Sequence, residues 1–184
     1  MMQDCAMQIL EIVMNSNHAN SKFIEVHIVD SIKNNMLEFT IIDDGKGMDE
    51  ETCRKVTDPF VTSRSSRKIG MGLPFMKGLT EQCNGSFKIT SKLGKGTKVI
   101  ASVQKDHWNT PAIGDLGEMM MFAIQANEVV DYLFTYQTDL QKFVFDSREV
   151  KQTIDGMSLL EPDILLWIKE YINQGIQLTK EKHV

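Results

Sequence analysis

One short segment near the N-terminus combines an acid, an amide and an imidazole at helical spacing. Glu11, Asn15 and His18 stand at i, i+4 and i+7, so a helix places all three on one face, while Ile9 and Val13 lie towards the opposite side. An amide oxygen suits a Mg2+ ion that phosphates and water otherwise hold, and a carboxylate can polarise a water or hydroxyl group. A solvated helix face is the alternative, and this segment alone does not decide between the two.

Three glycine-bearing segments follow along the chain. They are Asp43-Asp44-Gly45-Lys46-Gly47, Gly70-Met71-Gly72-Leu73 and Gly94-Lys95-Gly96-Thr97. Glycines let the backbone approach a flat base closely, and free N–H groups at the start of a helix can hold phosphates without any side chain. In this order the four segments resemble the N, G1, G2 and G3 boxes of the GHKL superfamily, the ATP-binding fold shared by gyrase, heat-shock chaperones, histidine kinases and MutL. The resemblance covers about residues 4–104.

Hydrophobic alternation predicts two strands, over residues 22–30 and 37–43, that lead into the first glycine segment, and two later strands over residues 86–91 and 95–103. In residues 37–43 the buried parity of the strand ends on Asp43, so an acid faces the core, where a carboxylate needs a hydrogen-bond donor. In the superfamily this aspartate accepts a hydrogen bond from the adenine amino group, and a threonine at the position of Thr97 supports it. The alternatives are a turn-capping aspartate, which suits Asp44 better, and an ordinary strand threonine.

A polar, basic loop is expected over residues 57–68, between the second and third boxes. Long loops inside a compact domain are commonly functional or disordered. Its position matches the ATP lid of the superfamily, and residues 58–64 resemble the Glu-Pro-Phe-Phe-Thr-Thr-Lys stretch of histidine kinases. Thr62 falls within this stretch, and Arg64 stands where those proteins have a phosphate-seeking lysine. A solvated basic loop is the alternative.

The resemblance implies ATP and Mg2+ as cofactors and a Bergerat fold. This is an α+β, two-layer sandwich in which helices cover one face of a mixed, mostly antiparallel sheet. Glu11 is expected to be the catalytic base and Asn15 the metal ligand. The expected nucleotide-binding residues are Asn15, Asp43, Gly45, Gly47, Met48, Thr62, Arg64, Gly70, Gly72, Leu73 and Thr97.

The familiar pattern stops near His107, and a different arrangement of elements follows. Residues 115–126 predict a Met-rich helix, 129–137 and 140–146 a hairpin, and 163–177 an amphipathic helix, which makes a smaller α-β-β-α extension. We therefore expect an ATP-binding domain at 1–105 and an extension at 106–184 that serves partner binding or dimerisation. Residues 119–121 favour core positions over an adaptable methionine surface.

Composition and charge argue against several classes of function. The net charge of −5 does not favour general electrostatic binding to nucleic acid or to a membrane. Neither a leader peptide nor a membrane span is recognisable in the sequence. Cys5, Cys53 and Cys83 form neither an even disulfide set nor a metal motif, as expected of reduced thiols in a cytoplasmic protein.

Departures from the box consensus favour one branch of the superfamily. Histidine kinases usually have asparagine at Glu11, whereas hydrolysing members and serine-phosphorylating kinases, including anti-sigma factors, have glutamate. MutL-like proteins have other residues at His18 and Asn20, which counts against the mismatch-repair branch. The few residues ahead of Glu11 leave no room for the helical hairpin that carries a substrate histidine, so His18 is not expected to accept a phosphoryl group.

The whole chain also resembles small stand-alone ATP-binding proteins of anaerobic bacteria, often encoded beside iron-only hydrogenase subunits. The sequence therefore predicts an ATP- and Mg2+-binding regulator that phosphorylates a partner protein and can form a homodimer. A slow ATPase that acts as a conformational switch and a non-catalytic ATP sensor are the alternatives.

Overall fold

The computed structural model describes residues 4–57 and 72–181. Its elements, in chain order, are α1 (Cys5–His18), β1 (Phe23–Ser31), β2 (Met36–Asp43), α2 (Glu50–Lys55), α3 (Gly72–Gln82), β3 (Ser86–Lys92), β4 (Gly96–Gln104), α4 (Leu116–Ala126), β5 (Asp131–Thr138), β6 (Lys142–Asp146), α5 (Ser147–Thr153) and α6 (Pro162–Lys180).

The strands form one mixed sheet in the order β3-β4-β2-β1-β5-β6. Only the β1–β5 pair is parallel, and the other four pairs are antiparallel. Ile24, Val26 and Ile28 of β1 are fully buried, while the residues between them are only half-buried. The helices therefore cover one face of the sheet, and the predicted α+β, two-layer fold is confirmed.

The first helix has the two faces that its spacing predicts. The Asp4 carboxylate caps it by accepting a hydrogen bond from the Met7 N–H at 2.9 Å. Ile9 and Val13 are buried against the sheet, whereas Glu11 is only half-buried. The polar stripe of α1 is thus left facing the ends of β2 and β4, where the glycine segments lie.

The strands after α1 deliver Asp43 to the buried side, as their alternation predicts. Leu37, Phe39 and Ile41 are buried along β2, and Asp43 follows in the same parity with 8% of its surface exposed. In the register of β2 and β4, Asp43 stands opposite Thr97. A carboxylate and a hydroxyl thus meet at one end of the sheet.

The elements after residue 105 include the predicted helix, hairpin and final helix, together with the short helix α5. Strand β5 pairs with β1 from Phe23↔Asp131 to Asp30↔Thr138, so both parts of the chain share one continuous sheet. Met119 and Met120 are buried, as expected of core methionines. The boundary at residue 105 stays a prediction, and it falls between two strands of the same sheet.

The longest described helix, α6, is amphipathic. Leu165, Ile168 and Ile172 are buried on one side, while Trp167 and Tyr171 are partly exposed on another. Within residues 4–57 and 72–181, no helix combines the length and hydropathy that crossing a membrane would require.

The cysteine side chains carry free thiols. Cys5 and Cys83 are buried in the core, and Cys53 is half-buried. Burial, reinforced by the charge of Asp4, raises the pKa of the Cys5 thiol to about 12. This thiol is therefore protonated at neutral pH and has the chemistry of a core side chain.

Candidate functional site

A cavity of about 310 Å³ lies between α1, α2, the start of α3 and the ends of β2 and β4. Its volume is at the lower end of the range of roughly 300–1,000 Å³ that is usual for ligand pockets. Its lining comprises Ile12, Asn15, Ser16, His18, Ala19, Ile41, Asp43, Lys46, Gly47, Met48, Thr52, Val56, Leu73, Thr97 and Val99. The structure therefore brings together residues from all four of the segments that the sequence singles out.

The carboxylate of Asp43 forms the polar floor of the cavity. One oxygen, Oδ2, accepts a hydrogen bond from the Ser16 hydroxyl at 2.8 Å, and Oδ1 accepts one from the Gly45 N–H at 2.9 Å. Each oxygen of a carboxylate can accept two hydrogen bonds. The buried charge is therefore stabilised by protein donors and still has acceptor capacity for an amino group of a ligand.

Ser16 is a site residue that the sequence reasoning missed. Its position continues the buried series of Ile9 and Ile12 on α1, at i+7 and i+4, and its hydroxyl is buried beside Asp43. A hydroxyl within an otherwise apolar helical stripe needs a partner in the core. A serine at a position where the apolar stripe predicts a hydrophobic residue was the signal in the sequence that could have identified Ser16.

The hydroxyl of Thr97 bonds to Ser91 in this structure. The two hydroxyl oxygens are 2.9 Å apart, and the Ser91 Oγ also accepts from the Met48 N–H at 2.8 Å and donates to the Gly96 carbonyl at 3.0 Å. Either hydroxyl can be the donor in the shared bond, because the Ser91 proton can go to Thr97 or to the Gly96 carbonyl. Thr97 thus fixes the Met48 backbone through Ser91, and Ser16 is the hydroxyl that bonds Asp43.

The loop after β2 is closed against the turn between β3 and β4. Gly47 has a φ of +64°, and a Cβ atom there would lie 2.0 Å from the Lys92 carbonyl oxygen. The Gly94 N–H also donates to the Lys46 carbonyl at 2.7 Å. Only glycine combines this left-handed backbone with such a close approach. Gly45 is buried beside the Ser21 hydroxyl, which a Cβ at that position would approach to 2.6 Å.

Two residues of the polar stripe on α1 reach different parts of the site. Asn15 lines the cavity, and its amide nitrogen is buried without a hydrogen-bond partner among the described residues. Glu11 lies one turn earlier, outside the lining, against the start of α3. A Cβ on Gly72 would be 2.9 Å from the Glu11 Cβ and 3.2 Å from its Oε2. The acid therefore stands beside the N-terminal end of α3, the end at which helices can bind anions.

The remaining predicted residues have different outcomes. Leu73 and Met48 line the cavity beside Thr97, and their contact with a nucleotide stays a prediction. Thr62, Arg64 and Gly70, together with the predicted lid, lie outside the described residues.

The donor set fits an adenine nucleotide better than a metal cage built from protein side chains. The apolar side chains of Ile41 and Val99 flank the Asp43 acceptor, as a flat base with an amino group requires. Within the described part of the chain, no cluster of three His, Cys, Asp or Glu residues could hold a metal ion. The unpartnered atom of Asn15 is its amide nitrogen Nδ2, a donor that suits an acceptor such as a phosphate oxygen, whereas a metal would take the amide oxygen of the same side chain.

Residues 5–107 match the profile of the family described as histidine kinase-, DNA gyrase B-, and HSP90-like ATPase. The chain belongs to this ATPase family. The match covers more than half of the chain and includes every box of the predicted GHKL pattern. Membership confirms the GHKL resemblance and the relation to ATP-binding domains of histidine kinases.

Individual relatives of this ATPase family come from bacteria. A Shewanella frigidimarina protein named as a sensor protein is 32% identical over 103 residues, which make up 53% of this chain and 16% of that protein. The sensor histidine kinase YvrG of Bacillus subtilis is 29% identical over 90 residues, 47% of this chain and 16% of the kinase. The chain thus spans about one sixth of the length of these relatives.

Among solved structures, the chain is similar to the Aquifex aeolicus MutL ATPase domain complexed with ADP. The sequence identity is 15%, the TM-score is 0.48, and the alignment covers 79% of this chain and 64% of that domain.

Proposed function

We propose that this ATPase-family protein is a cytoplasmic regulator that binds ATP and Mg2+ and transfers the γ-phosphate to a hydroxyl group of a partner protein. The observation that carries the proposal is the position of Glu11, which lies against Gly72 at the start of α3 and one helical turn from the unpartnered amide of Asn15. This position supports Glu11 as an acid at the expected phosphate end of the cavity, with Asn15, the proposed metal ligand, on the same helix face.

The residues of the site divide the work of the proposed reaction. Asp43 accepts a hydrogen bond from the adenine amino group, and the amide oxygen of Asn15 would hold a Mg2+ that would offset phosphate charge. Glu11 takes the proton of the partner's hydroxyl group as the hydroxyl oxygen bonds to the γ-phosphorus. At the same time the bond between the γ-phosphorus and the β–γ bridging oxygen breaks. ADP and a phosphorylated partner are the products.

A slow ATPase is the second candidate, because a carboxylate in the position of Glu11 can activate water as readily as a hydroxyl group. It predicts phosphate release without a partner. A non-catalytic ATP sensor is the third candidate, and it predicts nucleotide-dependent association that survives loss of Glu11. We also propose that the protein can form a homodimer and that it is related to the hydrogenase-associated ATP-binding proteins.

Transfer of labelled γ-phosphate separates these candidates. Wild type, Glu11→Gln and the exposed-site control Glu38→Gln are incubated with ATP and Mg2+, with and without a lysate, and protein label and free phosphate are both counted. A labelled partner band that requires Glu11 supports the kinase. Free phosphate that requires Glu11, without a labelled band, supports the ATPase, and tight ATP binding with neither signal supports the sensor.

Asn15→Ala tests the site itself. We expect this variant to lose Mg2+-dependent ATP binding, measured by titration calorimetry with and without the metal. Unchanged affinity would exclude Asn15 as the ligand and remove the basis of the proposed phosphate geometry.

A further inference from the structure

A second concave surface lies far along the sheet from the nucleotide cavity. It is a groove of about 430 Å³ between β6, α5 and α6, and we call it the α6 groove. Phe145 and Val150 form its buried floor, and Ile154 is partly buried beside them. No residue that lines it belongs to the four nucleotide boxes.

Two large aromatic rings form one wall of the α6 groove. Trp167 is 48% exposed and Tyr171 is 42% exposed, although their rings are stacked with centroids 5.0 Å apart and planes at 14°. Tyr171 also meets Phe143 edge-to-face at 5.5 Å. These contacts fix the two rings before anything binds. Binding of a ligand against this wall would therefore cost little side-chain entropy of the protein.

The charges around the α6 groove restrict what can cover it. Among the described residues that line it are three carboxylates and no cationic side chain. Asp146 is paired with Arg148, whereas Glu149 on α5 and Asp163 on α6 are exposed and have no ion pair within the described chain. A purely apolar occupant would desolvate these two carboxylates without compensation. The occupant must therefore bring positive charge.

The free edge of the sheet favours an extended occupant. Strand β6 is the last strand in the order and pairs only with β5 within the described chain. Thr138 N–H donates to the Gln141 carbonyl at 2.8 Å, and bonded pairs alternate along an antiparallel ladder. The N–H and C=O of Val144, which is 48% exposed in the groove, therefore point away from β5 and are available to another strand.

We propose that the α6 groove binds an extended segment of a partner protein that carries apolar side chains and at least one arginine or lysine. The apolar side chains cover Trp167 and the floor, the cation lies between Glu149 and Asp163, and the segment's backbone adds to the edge of β6. This deepens the proposed regulatory function by naming the chemistry of the partner. Binding at the groove needs neither ATP nor Glu11.

The test begins with an unbiased selection. A library of random twelve-residue peptides on phage is selected against the full-length chain without nucleotide, and the enriched peptides are synthesised with a fluorophore. Their affinity is measured by anisotropy for wild type, for Glu149→Gln/Asp163→Asn, for Trp167→Ala and for the control Glu38→Gln/Glu81→Gln, which loses the same charge at exposed sites elsewhere. Thermal unfolding checks that each variant is folded.

We expect enriched peptides to combine basic and apolar residues, with affinity that falls as salt rises. The groove double variant and Trp167→Ala should each bind about tenfold more weakly, and the control should bind within about twofold of wild type. Enrichment of peptides without basic residues, or wild-type affinity in the groove variants, would overturn the proposal. So would sedimentation of the chain as a dimer that Trp167→Ala dissociates, because the groove would then hold a second copy. If peptide binding fails while phosphate transfer is intact, only the groove proposal is overturned. If phosphate transfer fails while peptide binding holds, only the kinase proposal is overturned.

Discussion

Two hydroxyl groups at the nucleotide cavity illustrate what spacing reveals about single residues and what it does not. Strand parity predicted that Asp43 faces the core, and the superfamily resemblance predicted Thr97 beside it; the strand register sets these two residues opposite each other. Strand parity could not show which hydroxyl donates to the carboxylate, because Ser16 reaches Asp43 from a helix 27 residues earlier in the chain. That contact depends on how α1 sits on the sheet, which local periodicity does not encode.

The two hydroxyls should therefore differ when removed. Ser16→Ala leaves the buried Asp43 Oδ2 without its protein donor, at a cost of about 1–3 kcal/mol, and we expect weaker ATP binding. Thr97→Val retains the direct donors to Asp43 and should weaken ATP binding less. Calorimetric titration of both variants checks the order of the effects. The reverse order would assign the supporting role to Thr97, as the superfamily resemblance implies.

Gly47 provides a second residue-scale prediction. Gly47→Ala places a side chain at positive φ, 2.0 Å from the Lys92 carbonyl oxygen. We expect a loss of about 2 kcal/mol or more in the free energy of unfolding, together with weaker ATP binding.

A matched control for that prediction lies in α3. A Cβ on Gly78 would meet no atom within 4 Å, so Gly78→Ala should stabilise the protein by up to about 1 kcal/mol through helix propensity alone. Urea unfolding of both variants measures the effects. Equal effects would mean that the close approach at Gly47 relaxes at little cost.

At the scale of elements, the sequence predicted the helices and strands that carry strong periodicity. It missed α5, a seven-residue helix that begins directly after β6. Seven residues span only two turns, too few for a periodic pattern to emerge. The available signal was the cap, since Asp146 accepts a hydrogen bond from the Arg148 N–H at 2.9 Å.

The contact between α4 and α6 is centred on the carboxylate of Asp115. It caps α4 by accepting from the Glu118 N–H at 2.8 Å, and it also meets the Asn173 amide at 2.8 Å and the Lys169 ammonium at 3.2 Å. Burial alone would raise the pKa of Asp115, but these hydrogen bonds and the lysine charge outweigh it and hold the pKa below its usual value.

Removing that charge should give a pH-dependent loss of stability. A carboxyl pKa that is lower in the folded than in the unfolded state stabilises the fold above the unfolded value of about 3.9, and the effect disappears as pH falls through the folded value. Asp115→Asn should therefore cost about 1 kcal/mol at pH 7 and less at pH 3. Urea unfolding at both pH values, with Glu170→Gln as an exposed control, measures the difference. A gap that is equal at both pH values would contradict this account.

For the whole molecule, the pairing of β5 with β1 is the main feature that local patterns could not predict. The hairpin of β5 and β6 was readable from alternation, but its attachment to a strand some 100 residues earlier is a non-local choice of partner and register. The sheet therefore depends on both predicted parts of the chain. Tyr132, Phe134 and Tyr136 of β5 are fully buried in the shared core.

A fragment of residues 1–105 tests whether the predicted first domain folds alone. Without β5, the nine-residue strand β1 becomes an exposed edge, and α1 loses its contact with α4. We expect the fragment to aggregate or to unfold without cooperativity, whereas the full chain should unfold in one transition by both circular dichroism and fluorescence. A fragment that unfolds cooperatively and binds ATP would instead support an independent domain.

The stacked ring of Trp167 also gives the molecule an intrinsic optical reporter. The chain has two tryptophans, and the other, Trp108, is 86% exposed. In a Trp108→Phe chain, all indole emission would come from the wall of the α6 groove. A spectrum that shifts to shorter wavelength on adding a peptide, and not on adding ATP, would report occupancy of the groove in real time without any attached dye.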